Sequence, residues 1–266
     1  MIRKPVGEID WEADSRSFDR VAELYDRFRP GYPEALIETI LSTTHIPPNG
    51  KILEIGSGTG KATAPFAQRG FSILCLEPGE NLAAVAAQKF AGLPVEFETA
   101  RFENWNERQS DFDLVISAQA FHWVPKEIAY AKAARALKPG GWLALFWNRY
   151  PELQPEIFAE LEQVYTERAP ELAGTPEPIE ETIKRTEAEI VESGCFDDIR
   201  VERFPWSARY STREYLGLLD TYSDHLRLSD ETRERLFGGI AQVIETRGGF
   251  IDKPYLAVLY LMKIRA

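Results

Sequence analysis

Lys51-Ile52-Leu53-Glu54-Ile55-Gly56-Ser57-Gly58-Thr59-Gly60-Lys61 is the stretch whose reading decides the fold. An apolar, β-branched run closes around an acidic residue, and three glycines then alternate with small polar residues. The pattern predicts a strand, a tight turn without bulk and the start of a helix. Glycine suits such a turn because it accepts φ > 0 and lets a ligand approach the backbone without meeting Cβ atoms. The helix start beyond it would present free N–H groups, which suit an anionic or carboxylate-bearing ligand.

Spacing narrows the ligand. A dinucleotide-binding turn reads G-x-G-x-x-G, whereas here the third glycine follows two places after the second and Lys61 holds the dinucleotide position. Glu54 stands two residues before Gly56. This E-x-G-x-G-x-G arrangement resembles motif I of the class I S-adenosyl-L-methionine (SAM)-dependent methyltransferases; the plain alternative is a glycine-rich turn with no ligand. The resemblance implies cofactor contacts at Glu54, Gly56, Ser57, Gly58, Thr59 and Gly60. A second apolar run, 72–76, ends in Glu77-Pro78. Glu77 lies roughly 20 residues past the glycine turn, where Rossmann-type folds place an acid on the ribose hydroxyls. A carboxylate there accepts two charge-assisted hydrogen bonds from the diol, so Glu77 and Pro78 join the expected cofactor set. Together the two features point to an adenosine-containing cofactor.

With 266 residues, 44% of them hydrophobic, the chain can bury a full core. A formal net charge of -11 disfavours a nucleic-acid partner, because phosphate backbones call for a cationic face. The two cysteines, Cys75 and Cys195, suggest neither a disulfide framework nor a metal site. Residues 1–17 are polar and acidic without an apolar secretory core, and no apolar run approaches the ~20 residues that span a bilayer. A cytoplasmic protein that binds no membrane is expected.

In chain order, Phe18, Val21, Leu24 and Phe28 share one helical face, and Arg29-Pro30-Gly31-Tyr32-Pro33 stops that helix. A second helix over 34–41 leads to Pro47-Pro48-Asn49-Gly50. Strands then alternate with helices, the mark of a mostly parallel sheet: strands at 51–55, 72–77, 95–99, 112–117 and 142–147, helices to about 69 and over 80–90 and 125–137. Pro65 belongs in the first turn of its helix or bends it. Lys138-Pro139-Gly140-Gly141 reads as the stop of the helix over 125–137. Beyond it come helices over 155–168 and 179–193, a loop over 173–178, a strand over 199–204, helices over 212–222 and 230–246 with Ser211 and Ser229 as N-caps, and a strand over 255–264.

The resemblance extends to most of these parts. "FD…A…YD…RPGYP" is similar to the N-terminal cap of small-molecule methyltransferases, which implies that Tyr25 and Arg29 reach the cofactor carboxylate; the alternative is an aromatic and an arginine packed on the surface. Residues 100–105 take the motif II position. Arg101 and Phe102 stand where family members often carry an adenine-reading Asp, so a backbone N–H near Phe102 is the implied contact, with a plain core role for Phe102 and Trp105 as the alternative. Ser117-Ala118-Gln119-Ala120-Phe121-His122-Trp123 resembles the Q-A-F-H-W form of motif IV. It brings Ser117, Ala118 and Gln119 to the cofactor and His122 to the methyl side, as a general base or, alternatively, as a shaper of its loop.

The fold implied is an α/β, Rossmann-like seven-stranded mostly parallel sheet, last strand antiparallel, with a helical lid. Its parts would be a cap (1–50), a SAM-binding core (51–147), an inserted helix and loop (148–178) and the end of the sheet (179–266) carrying the lid at 211–248. The implied activity is SAM-dependent methyl transfer to a small-molecule acceptor in a pocket walled by residues 25–32, 147–150 and 211–248, where Arg149 and Arg209 are candidates for a substrate carboxylate. Strands 4 and 5 end in Ser-Ala-Gln and Trp-Asn-Arg, which offer no carboxylates for a hard metal ion. Two rivals stay open: a non-catalytic SAM-binding module, and a nicotinamide-dependent oxidoreductase, which the Lys61 spacing and the lack of a Tyr-x-x-x-Lys pair disfavour.

Overall fold

The computed structural model describes Asp19 and residues 21–151, 156–173 and 177–265. The expected helix positions at Phe18 and Pro155, the polar segment 1–17 and the middle of the 173–178 loop lie outside them.

Helices α1 (Ala22–Phe28) and α2 (Glu34–Thr44) precede the glycine turn. The sheet is then built from β1 (Lys51–Ile55), β2 (Ser72–Leu76), β3 (Val95–Glu98), β4 (Phe112–Ala118) and β5 (Leu137–Arg149). Between them come the short α3 (Thr63–Ala67), then α4 (Glu80–Lys89) and α5 (Lys126–Ala136). Pro65 sits in the first turn of α3, where its missing N–H costs nothing. After β5 come α6 (Glu156–Arg168), α7 (Ile179–Ser193), β6 (Phe196–Ser211), α8 (Thr212–Leu219), the single turn α9 (Ser223–Leu226), α10 (Asp230–Thr246) and β7 (Phe250–Ile264).

The seven strands order as β3-β2-β1-β4-β5-β7-β6, mostly parallel with the last strand antiparallel. β1 is buried over Ile52–Ile55, as a strand flanked by parallel neighbours must be. The chain moves outward from β1 to β2 and β3, then returns to β4 on the other side, so the switch point lies between β1 and β4.

Three strands run longer than their sequence signals. β5 begins at Leu137, before the Pro139-Gly140-Gly141 stop: Leu137 pairs with Phe112 and Trp142 with Leu114, so residues 138–141 bulge out opposite Asp113 alone. β6 and β7 extend to Ser211 and back to Phe250.

The chain separates into two compact units. One comprises Gly31–Asn148, Glu180–Phe204 and Leu256–Ala266, which hold most of the sheet. The other takes the described residues of Met1–Pro30, Arg149–Ile179 and Pro205–Tyr255. Its own core joins Phe28, Leu161, Tyr165, Leu218, Leu236 and Ile240 with a group of buried tyrosines. There α8 starts in a capping box, Ser211 and Glu214 each bonding the other's backbone N–H, and Ser229 accepts from Thr232 N at 3.1 Å to start α10. Gly217 of α8 lies so close to Phe28 that a Cβ there would stand 2.5 Å from its ring.

Candidate functional site: the glycine turn and its acids

At the switch point the turn after β1 meets the loop after β4. Gly56, Gly58 and Gly60 have φ of 68°, 54° and 78°, the left-handed region that favours glycine. The sequence reading attributed the missing Cβ atoms to a ligand's approach. The structure corrects this for two of them: a Cβ on Gly56 would stand 2.4 Å from Ala120 Cβ, and one on Gly60 2.2 Å from the Phe90 ring. Those two glycines admit protein neighbours.

The amides of the turn itself are largely committed. Gly56 N and Ser57 N both donate to Leu76 O, at 2.8 and 3.2 Å, Gly60 N to Ser57 O at 2.9 Å, and Gly58 N to Glu77 Oε2 at 2.7 Å. Helix α3 has only 5 residues, too few to add a substantial dipole. A pyrophosphate needs several uncommitted N–H donors, and this turn has already committed four of its own.

The carboxylates are the site's chemistry. Glu77 is buried, and its Oε1 accepts a second backbone bond, from Gly79 N at 2.9 Å. Two N–H donors fix its plane. Pro78 beside it is exposed. Glu54 is 1% exposed and accepts from Thr63 Oγ1 at 2.6 Å. Burial, with a smaller push from the charge of Glu77, raises its pKa from 4.5 to about 8, against the pull of the Thr63 bond. Glu54 is therefore mostly the neutral acid at pH 7. Its Oε1 and the buried Thr59 Oγ1 have no hydrogen-bond partner among the described residues.

The motif II stretch is packed against its own neighbours. Phe102 and Trp105 are buried and stack at 6.2 Å, and Trp105 Nε1 donates to Glu98 Oε2 at 2.8 Å. Arg101 pairs with Glu103 at 3.6 Å. Sequence reasoning missed Lys132 on α5, which is buried and donates to Glu103 O and Trp105 O at 3.0 and 2.6 Å, clamping this loop. Its one legible signal was a lysine in the Ala-rich run of α5.

After β4, Ser117 Oγ donates to Ile55 O at 2.8 Å, tying β4 to β1 under the turn. Ala118 ends the strand, and Gln119 follows with φ of 59°, its Nε2 donating to Asn148 O at 3.4 Å. His122 is exposed in a 3₁₀ turn, Phe121–Trp123. Trp147 Nε1 donates to His122 Nδ1 at 3.2 Å, which in the neutral ring leaves the proton on Nε2. A base role at Nε2 would require this bond to break and the tautomer to change. In the same unit Asn148 Nδ2 donates to Gly31 O at 2.9 Å and Tyr32 meets Phe146 edge-on at 4.7 Å. Arg29 belongs to the other unit, where its Nε and Nη2 donate to Thr221 Oγ1 and O, both at 2.8 Å, and its guanidinium lies over Tyr25 and Tyr222. Arg209, in that unit too, covers Phe250 and stands 3.9 Å from Asp252. Among the described residues no three His, Cys, Asp or Glu side chains cluster as metal ligands, and no helix is long and apolar enough to cross a membrane.

A Rossmann-like sheet with an acid-flanked glycine turn and a second acid after β2 is a nucleoside-binding arrangement. Residues 52–141 match the family described as "Methyltransferase domain". The chain is 26% identical over 238 residues to an uncharacterised methyltransferase-like protein of Schizosaccharomyces pombe, covering 88% of each chain. It is 25% identical over 251 residues to an uncharacterised methyltransferase of Mycobacterium tuberculosis, covering 93% of each. Among solved structures, phosphoethanolamine N-methyltransferase 2 of Haemonchus contortus, in complex with SAM, superposes with a TM-score of 0.54 at 18% identity, over 97% of this chain and 60% of that one. A protein of Anaeromyxobacter dehalogenans, proposed to be a type II methyltransferase, gives 0.62 at 22%, over 89% and 97%. The domain match and the relatives support a methyltransferase of the SAM-dependent class I type, and the solved structures share its fold.

Proposed function

We propose that the protein transfers a methyl group from SAM to a small-molecule acceptor, with Glu77 binding the ribose and the turn 56–60 lying against the cofactor. The observation that carries this is the pairing of Glu77 with a turn whose amides are committed: the acid is fixed by Gly58 N and Gly79 N, while four turn amides are already hydrogen-bonded. That combination suits a nucleoside without a pyrophosphate and argues against a nicotinamide dinucleotide. Glu54 Oε1 and Thr59 Oγ1, buried without partners among the described residues, fit the same cofactor as groups that a polar ligand would satisfy.

Bound SAM supplies an activated methyl on a sulfonium leaving group, so the protein's task is chiefly placement, worth roughly 7–11 kcal/mol where geometry is good. In this reading Glu77 orients the cofactor's sugar, and the protonated Glu54 keeps a second negative charge out of the turn. Ser117, Ala118 and Gln119 form the wall after β4, with Pro78, Arg101 and Phe102 at the adenine side. His122, its Nδ1 engaged by Trp147, offers Nε2–H as a hydrogen-bond donor to an acceptor oxygen or anion in place of a base. The location proposed is cytoplasmic, and no nucleic-acid partner is proposed, given the net charge of -11.

Calorimetric titration with S-adenosylhomocysteine and with NADH tests the cofactor. Binding of the first without the second is expected; binding of NADH, or of neither, overturns the reading. Methyl transfer from labelled SAM to a metabolite panel then separates an enzyme from a silent binding module.

A further inference from the structure

Glu54 lies one residue before the end of β1, paired with Cys75 of β2 on one side and Ile116 of β4 on the other. A strand buried between parallel neighbours reads as an apolar run, and a carboxyl that is 1% exposed breaks it. One of its oxygens is used: Oε2 accepts from Thr63 Oγ1 at 2.6 Å and stands 3.9 Å from Cys75 Sγ. The other, Oε1, is buried without a hydrogen-bond partner among the described residues, as is Thr59 Oγ1 in the turn that follows. Buried polar atoms of this kind are rare and ask what completes them. All of these groups belong to the unit that contains Gly31–Asn148.

The surroundings of Glu54 do not balance a charge. Among the described residues no cation forms an ion pair with it. From β4, the partners of residues 52–54 are Leu114, Val115 and Ile116. From β2 comes Cys75, whose thiol burial keeps neutral. From α3 comes the hydroxyl of Thr63, and after β2 comes Glu77, whose like charge repels. From α4, the exposed Lys89 donates to Thr59 O at 3.1 Å. A buried carboxylate without a counter-charge is costly, so the group takes up a proton instead. Burial, opposed by the Thr63 bond and helped by Glu77, accordingly raises its pKa from 4.5 to about 8. A positive charge brought to the turn works in the opposite direction.

We propose that Glu54 is a specificity-determining residue that gives up its proton when a cofactor of net positive charge occupies the turn, so that the site prefers the sulfonium cofactor to its neutral, demethylated product. This deepens the cofactor assignment above and rests on it. SAM carries a sulfonium and an aminium against a single carboxylate, whereas S-adenosylhomocysteine lacks the sulfonium and is neutral overall. The step is a plain proton transfer: the O–H bond of Glu54 breaks, the carboxylate keeps the electron pair, and solvent takes the proton. In the free protein the proton spares the turn a second negative charge beside Glu77. With the cation in place, the carboxylate offsets it.

Titration calorimetry of the full-length protein with SAM and with S-adenosylhomocysteine, in two buffers of different ionisation enthalpy, counts the protons exchanged on binding. At about pH 7, SAM is expected to release at least about half a proton more from the wild type than from Glu54→Gln, which keeps an acceptor for Thr63 without a titrating group. The α-amino group of SAM titrates in the same range; its share is common to both proteins and drops out of the difference. S-adenosylhomocysteine is expected to show no such excess. Between about pH 6.5 and 8.5 the preference for SAM over S-adenosylhomocysteine should rise roughly tenfold more in the wild type than in Glu54→Gln. Equal proton counts for SAM in the two proteins, the same excess with S-adenosylhomocysteine, or a preference that changes with pH alike in both would overturn the proposal and leave the cofactor assignment standing. Failure of both ligands to bind the wild type would overturn the cofactor assignment, and this inference with it.

Discussion

Glu54→Gln isolates the buried acid beneath the glycine turn. Glu54 is 1% exposed, hydrogen-bonded to Thr63, and raised from 4.5 to about 8 mainly by burial and then by the charge of Glu77. Because the folded value lies above the unfolded one, the native protein holds a proton that the unfolded chain has released between those two pH values. The stability this confers is fully present below about pH 4.5 and is lost as pH rises through about 8. At ~1.36 kcal/mol per pH unit the gap amounts to roughly 5 kcal/mol, an upper figure because the site relaxes. Gln keeps the shape and the acceptor for Thr63 without a charge. In urea unfolding at about pH 5, 6.5 and 8, the mutant should gain on the wild type progressively, by several kcal/mol over the range. Lys253 titrates in both proteins and cancels in the difference. A wild-type-to-mutant gap that stays constant with pH would refute the assignment of a buried, neutral Glu54.

Four further outcomes follow from the same geometry. Gly56→Ala puts a Cβ 2.4 Å from Ala120 at a φ of 68°; left-handed strain and overlap together should cost roughly 2–4 kcal/mol in urea unfolding, and an unchanged midpoint would count against the packing described. Glu77→Gln sets an NH2 against one of the two N–H groups its carboxylate satisfies, so S-adenosylhomocysteine affinity should fall about 10–100-fold, and a change within twofold would remove Glu77 from the ribose. Lys132→Met frees the carbonyls of Glu103 and Trp105, which should lower stability by about 1–3 kcal/mol and speed amide exchange in residues 101–105, whereas unchanged exchange there would deny the clamp. Once an acceptor is known, His122→Gln should retain more activity than His122→Ala with the pH–rate profile unaltered; loss of one limb of that profile in both variants would restore His122 as a base.

The parts of the fold that read well from sequence are those whose local chemistry has no competitor. The β1 run, the Ala-rich α4 and the Ser211 and Ser229 caps all carry signals within a few residues, and the structure uses them as such. Lys138-Pro139-Gly140-Gly141 reads as the stop of the helix over 125–137, and α5 does end at Ala136; what is not legible is that the same residues form a bulge within β5, with Gly140 at φ of 80° and pairing with β4 on either side. The extent of β6 and β7 was not legible because much of each strand is polar and only pairing reveals it as strand.

The candidate site was legible in composition and only partly in cause. Glycines in a tight turn signal positive φ, but a sequence does not tell whether the vacant Cβ position faces a ligand or a neighbouring side chain; Ala120 and Phe90, 64 and 30 residues away from Gly56 and Gly60, decide that. The same distance effect hides Lys132 and Lys253, since lysine is solvated by default and only tertiary packing buries it. Lys253 nevertheless left a trace in the period-2 pattern, being the one charge among the inward positions 251, 253, 255 and 257 of an otherwise apolar face. A charge placed against the binary pattern is tolerated where its surroundings offset part of the desolvation. In β7 the rings of Tyr150, Phe158, Tyr215 and Tyr255 around Lys253 Nζ supply such an offset, and burial still lowers its pKa to about 7.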